Sequence, residues 1–113
     1  MPTVPFAPES FPGEIDVQTL AQRLQTGLEN VQLIDVREPW EVERAAIADF
    51  VNLPLSAFAN WETQIHQHFD ADTETIVMCH HGMRSAQMCQ WLSQQGFTHV
   101  KNLVGGIAAY AIQ

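Results

Sequence analysis

Short apolar runs alternate along this chain with segments in which apolar residues recur every three or four positions. The short runs predict β-strands at residues 14–15, 31–36, 50–53, 75–78 and 100–104. The three-to-four spacing predicts helices at residues 17–26, 40–47, 56–69, 85–95 and 107–112. Because predicted strands and helices alternate throughout, the pattern indicates one α/β domain with a mainly parallel central sheet and helices on both faces.

Residues suited to helix ends support these boundaries. Asp16 is a favourable N-cap for the first helix, and Gly27 stands where a glycine commonly ends one. Pro39 suits the first turn of the second helix, and Gly96 follows the helix predicted at 85–95. The helix assignments therefore rest on end signals as well as on spacing.

The composition supports one folded domain preceded by an arm. The chain has 113 residues, 46% hydrophobic and 16% charged, enough apolar material for a single core. Four prolines among the first twelve residues predict an extended arm at residues 1–13, with the domain at 14–113. The N-terminus lacks the basic and apolar regions of a signal peptide, and no run approaches the ~20 apolar residues of a membrane span. A cytoplasmic location without membrane contact is expected.

The charge balance narrows the possible ligands. The formal net charge is -8, which disfavours binding of DNA or RNA through phosphates. The same charge repels small dianions at long range, so an anion site would need backbone N–H groups and one or two of the five basic residues. The two cysteines are too few for a disulfide framework and indicate a reducing compartment.

Polar segments follow three of the predicted strands, at residues 35–38, 52–54 and 79–85. In parallel sheets, functional sites form beyond the carboxyl ends of the strands, so these segments are expected to converge. The third segment, which we call the Cys79 loop, is Cys79-His80-His81-Gly82-Met83-Arg84-Ser85. Its backbone N–H groups, the following helix N-terminus and an arginine would all favour a thiolate. The alternative is that Cys79 is a small buried apolar residue.

Other residues allow plainer interpretations. Cys89 has the spacing of a core residue, and a resolving cysteine is the alternative. The histidines at 66, 68, 80 and 81 could surround Cys79 as metal ligands, but positions 66 and 68 do not share a helix face, so no metal is expected. His80 and His81 are expected to line the pocket or to face solvent.

Several charged and aromatic residues are expected to be structural or solvated. Arg37 follows a buried strand and should pair with a nearby carboxylate, Asp35, Glu38 or Glu41. We expect Arg23 to be solvated and Arg44 to pair at the surface with Glu41 or Glu43. We expect Trp40 and Trp61 to pack in the core or at its rim. Met83 is expected to shape the mouth of the pocket.

Four segments in order, VQLIDVREPWE, FVNLPL, TIVMCHHGMRSA and NLVGGIAAY, carry a family resemblance. Together they resemble a single-domain rhodanese, a thiosulfate or persulfide sulfurtransferase, over residues 15–110. The resemblance implies that Cys79 is catalytic and accepts a sulfane sulfur as a persulfide, held by backbone N–H groups of residues 80–85. It also implies a donor-binding role for Arg84, an architectural role for Asp35 and Arg37, and a glycine pair at Gly105-Gly106.

The chain departs from the family pattern at two places. Ala45-Ala46-Ile47 stands where Gly-His-Ile is common, and Tyr110 stands where tryptophan is frequent. The loop length follows the sulfurtransferase branch, because Cys79 and Arg84 are separated by four residues. The related phosphatase domains have five residues there, which makes room for a phosphate, so phosphatase activity is disfavoured.

The resemblance implies a cofactor-free enzyme. It would move a sulfane sulfur from a donor such as thiosulfate to cyanide or a thiol, with ping-pong kinetics. The alternative is a persulfide carrier or protein-binding module with a protein donor and acceptor, since the acidic chain and one loop arginine fit a dianion poorly. A catalytically silent regulatory module usually lacks the cysteine, so Cys79 argues against that function.

Overall fold

Five parallel strands form the centre of the fold in a computed structural model that describes residues 12–112. The strands are β1 (Gly13–Ile15), β2 (Val31–Asp35), β3 (Val51–Asn52), β4 (Glu74–Met78) and β5 (Val100–Leu103). They lie side by side in the order β1-β5-β4-β2-β3, and every pairing is parallel. The predicted α/β class and parallel sheet are therefore confirmed. Residues 1–11 of the predicted arm lie outside the described residues, and β1 begins at Gly13 within it.

Helices connect the strands and cover the sheet. They are α1 (Val17–Thr26), α2 (Pro39–Arg44), α3 (Phe58–Trp61), α4 (Ile65–His68), α5 (Met83–Gln94) and α6 (Gly106–Ile112). The Asp16 carboxylate caps α1 by accepting a hydrogen bond from the N–H of Thr19 at 2.7 Å. No helix within residues 12–112 has the length and apolar character needed to cross a membrane.

Two apolar cores lie on opposite faces of the sheet. Val77 points into one core with Met88 and Leu92 of α5, whereas its neighbours Ile76 and Met78 point into the other core. That second core also contains Leu20 of α1 and Ile107 of α6. Successive strand residues face opposite sides. Residues 76–78 of β4 are thus buried on both faces of the sheet, which accounts for their continuous apolar character.

The segment expected as one helix at 56–69 is instead broken. Short 3₁₀ turns, Leu55–Ala57 and Glu62–Gln64, interrupt it around α3 and α4. The 3₁₀ turns wind more tightly than an α-helix, which changes the direction of successive side chains. Phe58 and Trp61 contact each other and Trp91 edge to face. The apolar spacing that suggested a continuous helix is therefore used for an aromatic cluster against α5.

Two helix boundaries also differ from prediction. The helix expected at 40–47 ends at Arg44, because Ala45 is extended and its carbonyl accepts a 2.8 Å hydrogen bond from Arg37. Ile47 is buried in a core although it lies beyond the helix. The helix expected to begin at Ser85 begins at Met83. Its first turn therefore includes part of the Cys79 loop.

The predicted solvation of Arg23 is wrong. Its guanidinium makes two hydrogen bonds of 2.8 and 2.6 Å to the carboxylate of Glu74, which also accepts a bond from Lys101 at 2.8 Å. This network connects α1 to β4 and β5. Arg44, expected to pair with a glutamate, lies over the ring of Trp40 at 5.6 Å from the ring centroid.

Candidate active site

The Cys79 thiol lies directly beyond the carboxyl end of β4 and is 1% exposed. Its sulfur accepts hydrogen bonds from the N–H of Gly82 at 3.0 Å and the N–H of Ser85 at 3.3 Å. The hydroxyl of Ser85 lies 3.2 Å from the same sulfur. The loop thus surrounds Sγ with donors, the arrangement that stabilises negative charge.

Backbone geometry explains why the loop donors point inward. Gly82 has φ +107°, a left-handed conformation that glycine adopts readily, and it caps α5. The carbonyls of Cys79 and His80 accept hydrogen bonds from the N–H groups of Ile107 and Ala108 at 2.9 and 3.0 Å. In a trans peptide the N–H points opposite to the carbonyl, so these bonds turn the following N–H groups away from α6.

Gly106 permits this close approach of α6 to the loop. It has φ +62°, and a Cβ there would overlap the carbonyl oxygens of Cys79 and His80. Gly106 belongs to the glycine pair that the family resemblance predicted. Its role follows from contact between two backbones, which the local sequence does not display.

The balance of burial and hydrogen bonding lowers the pKa of the Cys79 thiol. Burial by itself raises the pKa, because it removes water from the thiolate. Hydrogen bonds from the hydroxyl and N–H of Ser85 and from the N–H groups of Gly82 and His81 outweigh burial. The net direction favours the nucleophilic form of the sulfur.

Asn102 of β5 supports the loop from below, a role that the sequence analysis missed. Its side-chain N–H donates to the carbonyl of Gly82 at 3.0 Å, and its Oδ1 accepts from the hydroxyl of Ser85. The single proton of that hydroxyl can go to Asn102 or to Cys79, but not to both. The available signal was a polar residue next to the apolar Leu103 within a predicted strand.

Asp35 and Arg37 form a buried pair beside the loop, and each is 2% exposed. Nη2 of Arg37 donates to Asp35 at 2.8 Å, and Nε donates to the same carboxylate at 3.1 and 3.2 Å. The guanidinium also donates to the carbonyls of Glu41 and Ala45 at 3.2 and 2.8 Å. The pair therefore joins the end of β2 to α2 and to Ala45, the residue that follows this helix.

Arg84, expected to bind a donor, is bonded to Glu41. Nη1 and Nη2 of Arg84 donate to the two carboxylate oxygens at 2.8 and 3.0 Å. The Arg84 guanidinium lowers the pKa of Glu41 to about 2, so the carboxylate stays ionised near neutral pH. Glu41 had entered the sequence analysis only as a partner for other arginines.

The remaining side chains of the Cys79 loop lie at the protein surface around the buried thiol. His80 and His81 are exposed and lie edge to face, and Met83 is 76% exposed. His66 stacks on Phe97 and does not join them. Within residues 12–112, no group of three or more His, Cys, Asp or Glu side chains is placed to hold a metal ion.

Cys89 lies in the core behind the loop and has no exposed surface. Burial raises the pKa of its thiol to about 12, with a smaller contribution from Cys79. The structure confirms the predicted core position of Cys89. The pKa values of the two buried thiols are thus shifted in opposite directions.

A cleft of about 340 Å³ opens beside the loop. Trp40, Arg44, His80, Ile107 and Ala108 are among the residues that line it. Glu41 and Arg37 also border the cleft, so it adjoins both ion pairs near the thiol. A larger cleft of about 400 Å³, between β3 and α4, includes no residue of the Cys79 loop.

Comparison with known proteins identifies the family. The family model for the rhodanese-like domain matches residues 16–113. A sulfurtransferase from Allochromatium vinosum is 39% identical over 98 residues, which cover 87% of this chain and 87% of that protein. A rhodanese-like/PpiC domain-containing chloroplastic protein from Arabidopsis thaliana is also 39% identical, over 88% of this chain. The match spans only 34% of that longer protein.

A solved structure agrees in fold as well as in sequence. The crystal structure of a rhodanese-related protein from Thermoplasma volcanium superposes with a TM-score of 0.71 at 29% identity. The match covers 88% of this chain and 91% of that one. The parallel sheet, the order of the motifs and these similarities lead to one assignment. This chain belongs to the family of rhodanese-like domains.

Proposed function

We propose that this protein is a sulfurtransferase that moves a sulfane sulfur from a donor such as thiosulfate to cyanide or a thiol through a persulfide on Cys79. The observation that carries the proposal is the Cys79 sulfur itself, which accepts hydrogen bonds from Gly82 and Ser85 at 3.0–3.3 Å. Membership of the family and the name of the Allochromatium relative support the same chemistry.

In the first half-reaction, the Cys79 thiolate attacks the outer sulfur of the donor. The new sulfur–sulfur bond forms as the donor's own bond breaks, and sulfite leaves thiosulfate with the electron pair. The transferred sulfur then carries the negative charge of the enzyme persulfide. The inward-pointing N–H groups of the Cys79 loop stabilise that charge in the transition state and in the intermediate.

In the second half-reaction, the acceptor attacks the terminal sulfur of the persulfide. Cyanide becomes thiocyanate, or a thiolate becomes a new persulfide, and the Cys79 thiolate is the leaving group. The lowered pKa of Cys79 favours its departure as an anion. The cleft beside His80 offers space for an acceptor larger than cyanide.

A second function, a persulfide carrier whose donor and acceptor are proteins, has one observation in its favour. Arg84 is the cation of the loop, and the carboxylate of Glu41 already binds it. A small dianion therefore meets less positive charge than the loop sequence suggests. A reducing, cytoplasmic location stays a prediction from the sequence.

Intact mass measurement tests the proposal directly. Reduced protein is incubated with thiosulfate, alongside the Cys79→Ala and Cys89→Ala variants. We expect a gain of one sulfur atom in the wild type and in Cys89→Ala, and no gain in Cys79→Ala. Addition of cyanide should then remove the extra mass and release thiocyanate.

Each alternative result has a clear meaning. A gain that survives in Cys79→Ala would refute the assignment of the nucleophile. If thiosulfate and small organic persulfides add nothing but a protein persulfide does, the carrier function is favoured. If no donor adds sulfur to Cys79, sulfur transfer itself is refuted.

A further inference from the structure

We propose that Glu41 selects the sulfur donor by charge: by holding Arg84, it favours donors with one negative charge, such as organic persulfides, over dianionic thiosulfate. This inference rests on the proposed function and assigns a specificity role to a residue outside the Cys79 loop. Thiosulfate is then a slow donor, and a persulfide, R–S–S⁻, is the preferred one. Its outer sulfur bonds to the Cys79 thiolate as R–S⁻ leaves.

The geometry of the pair supports a fixed arrangement. Both nitrogens at the end of Arg84 bond to the two oxygens of Glu41, a bidentate contact. The Glu41 carboxylate is also bonded by the backbone N–H of Glu38 at 2.9 Å, which ties it to the first turn of α2. Arg37 donates to the backbone carbonyl of Glu41 at 3.2 Å. Glu41 is thus held at its backbone and its side chain.

The charges near the thiol cancel in pairs. Arg84 is matched by Glu41, and Arg37 is matched by Asp35. Glu38 adds a negative charge close to Arg84, although its carboxylate is bonded to the hydroxyl of Ser56 at 2.6 Å. Of the chain's five basic residues, four form ion pairs with carboxylates within residues 12–112.

The fifth basic residue, Arg44, stands over Trp40 at the cleft. The protein as a whole has a formal charge of -8, so its long-range field does not compensate for the paired arginines. A second negative charge on a donor therefore meets this repulsion with only Arg44 and the loop N–H groups to oppose it, because Arg37 and Arg84 are already paired. A persulfide carries one fewer charge and meets less of this repulsion.

Alkylation of Cys79 measures the local charge without requiring sulfur transfer. Anionic iodoacetate and neutral iodoacetamide both react with the thiolate, so the ratio of their rate constants reports electrostatics and cancels the thiolate fraction. All measurements use the Cys89→Ala background, which leaves Cys79 as the single thiol. A failure of sulfur transfer and a failure of charge selection are then separate results.

The test variant is Glu41→Gln, which removes the charge but keeps an oxygen for the N–H of Glu38. We expect the iodoacetate-to-iodoacetamide ratio to rise about fivefold, taking one unit charge about 4 Å from the carboxylate of the reagent in a water-like dielectric. The matched control is Glu43→Gln, which removes an exposed charge from the same helix. It should change the ratio less than about twofold.

A double variant separates release of Arg84 from a general loss of negative charge. Glu41→Gln combined with Arg84→Gln restores the net charge, so the ratio should return to the wild-type value. The wild type provides a test that needs no variant. Salt screens attraction between an anionic reagent and a positive site, so at a site without excess positive charge the iodoacetate-to-iodoacetamide ratio should not fall as salt is added. A ratio that falls steeply with salt would contradict the proposal.

Donor kinetics complete the experiment. Methanethiosulfonate and thiosulfate offer the same transferable sulfur with one and two negative charges. Glu41→Gln should raise kcat/KM for thiosulfate relative to methanethiosulfonate about fivefold, whereas Glu43→Gln should not. Equal effects of the two variants, or an effect that persists in the double variant, would overturn the role of Glu41.

Discussion

Removal of the Ser85 hydroxyl tests how the loop lowers the pKa of Cys79. The hydroxyl lies 3.2 Å from the sulfur, while the N–H groups of Gly82 and Ser85 itself make two further bonds. Ser85→Ala removes the side-chain donor and leaves the two backbone donors in place. Ser85 is fully buried, so water has little access to replace the lost bond.

The expected size of the effect follows from two values. A hydrogen bond to a charged group contributes about 1.5–3 kcal/mol, and one pKa unit corresponds to about 1.4 kcal/mol. Complete loss of a bond to the thiolate would therefore raise the pKa by about 1–2 units. Asn102 competes with the sulfur for the hydroxyl proton, so we expect a pKa increase at the lower end of that range, about 1 unit.

The pH dependence of iodoacetamide alkylation provides the assay, in the Cys89→Ala background. The midpoint of the rate profile should lie below the ordinary thiol value in the parent protein and about 1 unit higher in Ser85→Ala. Ser93→Ala, in the same helix, is the matched control and should leave the midpoint unchanged. Thermal unfolding identifies any loss of folded protein, because the change also leaves Oδ1 of Asn102 without its donor.

An unchanged midpoint in folded Ser85→Ala would refute this account. It would mean that the hydroxyl gives its proton to Asn102 and that backbone N–H groups alone stabilise the thiolate. Asn102→Ala would then be expected to lower the midpoint, because the serine proton would become available to the sulfur. The two variants together determine which acceptor the hydroxyl serves.

Three further changes test the supporting structure. Gly106→Ala should lower the free energy of unfolding by about 2–4 kcal/mol in urea titrations, because its Cβ overlaps two loop carbonyls; little loss would contradict the close approach. Asp35→Asn should cost about 3–5 kcal/mol in the same assay by leaving buried Arg37 without a carboxylate, and an effect below about 1 kcal/mol would contradict that pairing. Arg23 lowers the pKa of Glu74 from 4.5 to about 2, so the unfolded chain binds protons first as the pH falls. Stability followed by circular dichroism should therefore fall between pH 4.5 and 2, and Glu74→Gln should remove that part of the loss.

The elements that position the thiol could be predicted because their signals are local. The apolar run of β4, the glycine at position 82 and the spacing of α5 are adjacent in the chain. Each constrains the backbone within a few residues, so pattern and turn chemistry were sufficient. The prediction of one helix at 56–69 was wrong because the deciding contacts are distant in the chain. Packing of Phe58 and Trp61 on Trp91 outweighs the helical spacing of the local apolar residues.

The sequence by itself determined the α/β class, the place of Cys79 at a strand end and the four-residue spacing to Arg84. Only the tertiary structure decided which partners the loop has. Glu41 meets Arg84 across forty-three positions, and Asn102 meets Ser85 across seventeen. Hydrophobic periodicity records which face of an element is buried, but it carries no information about which polar groups meet once those faces pack. The charge that a sulfur donor encounters depends on those contacts between polar side chains.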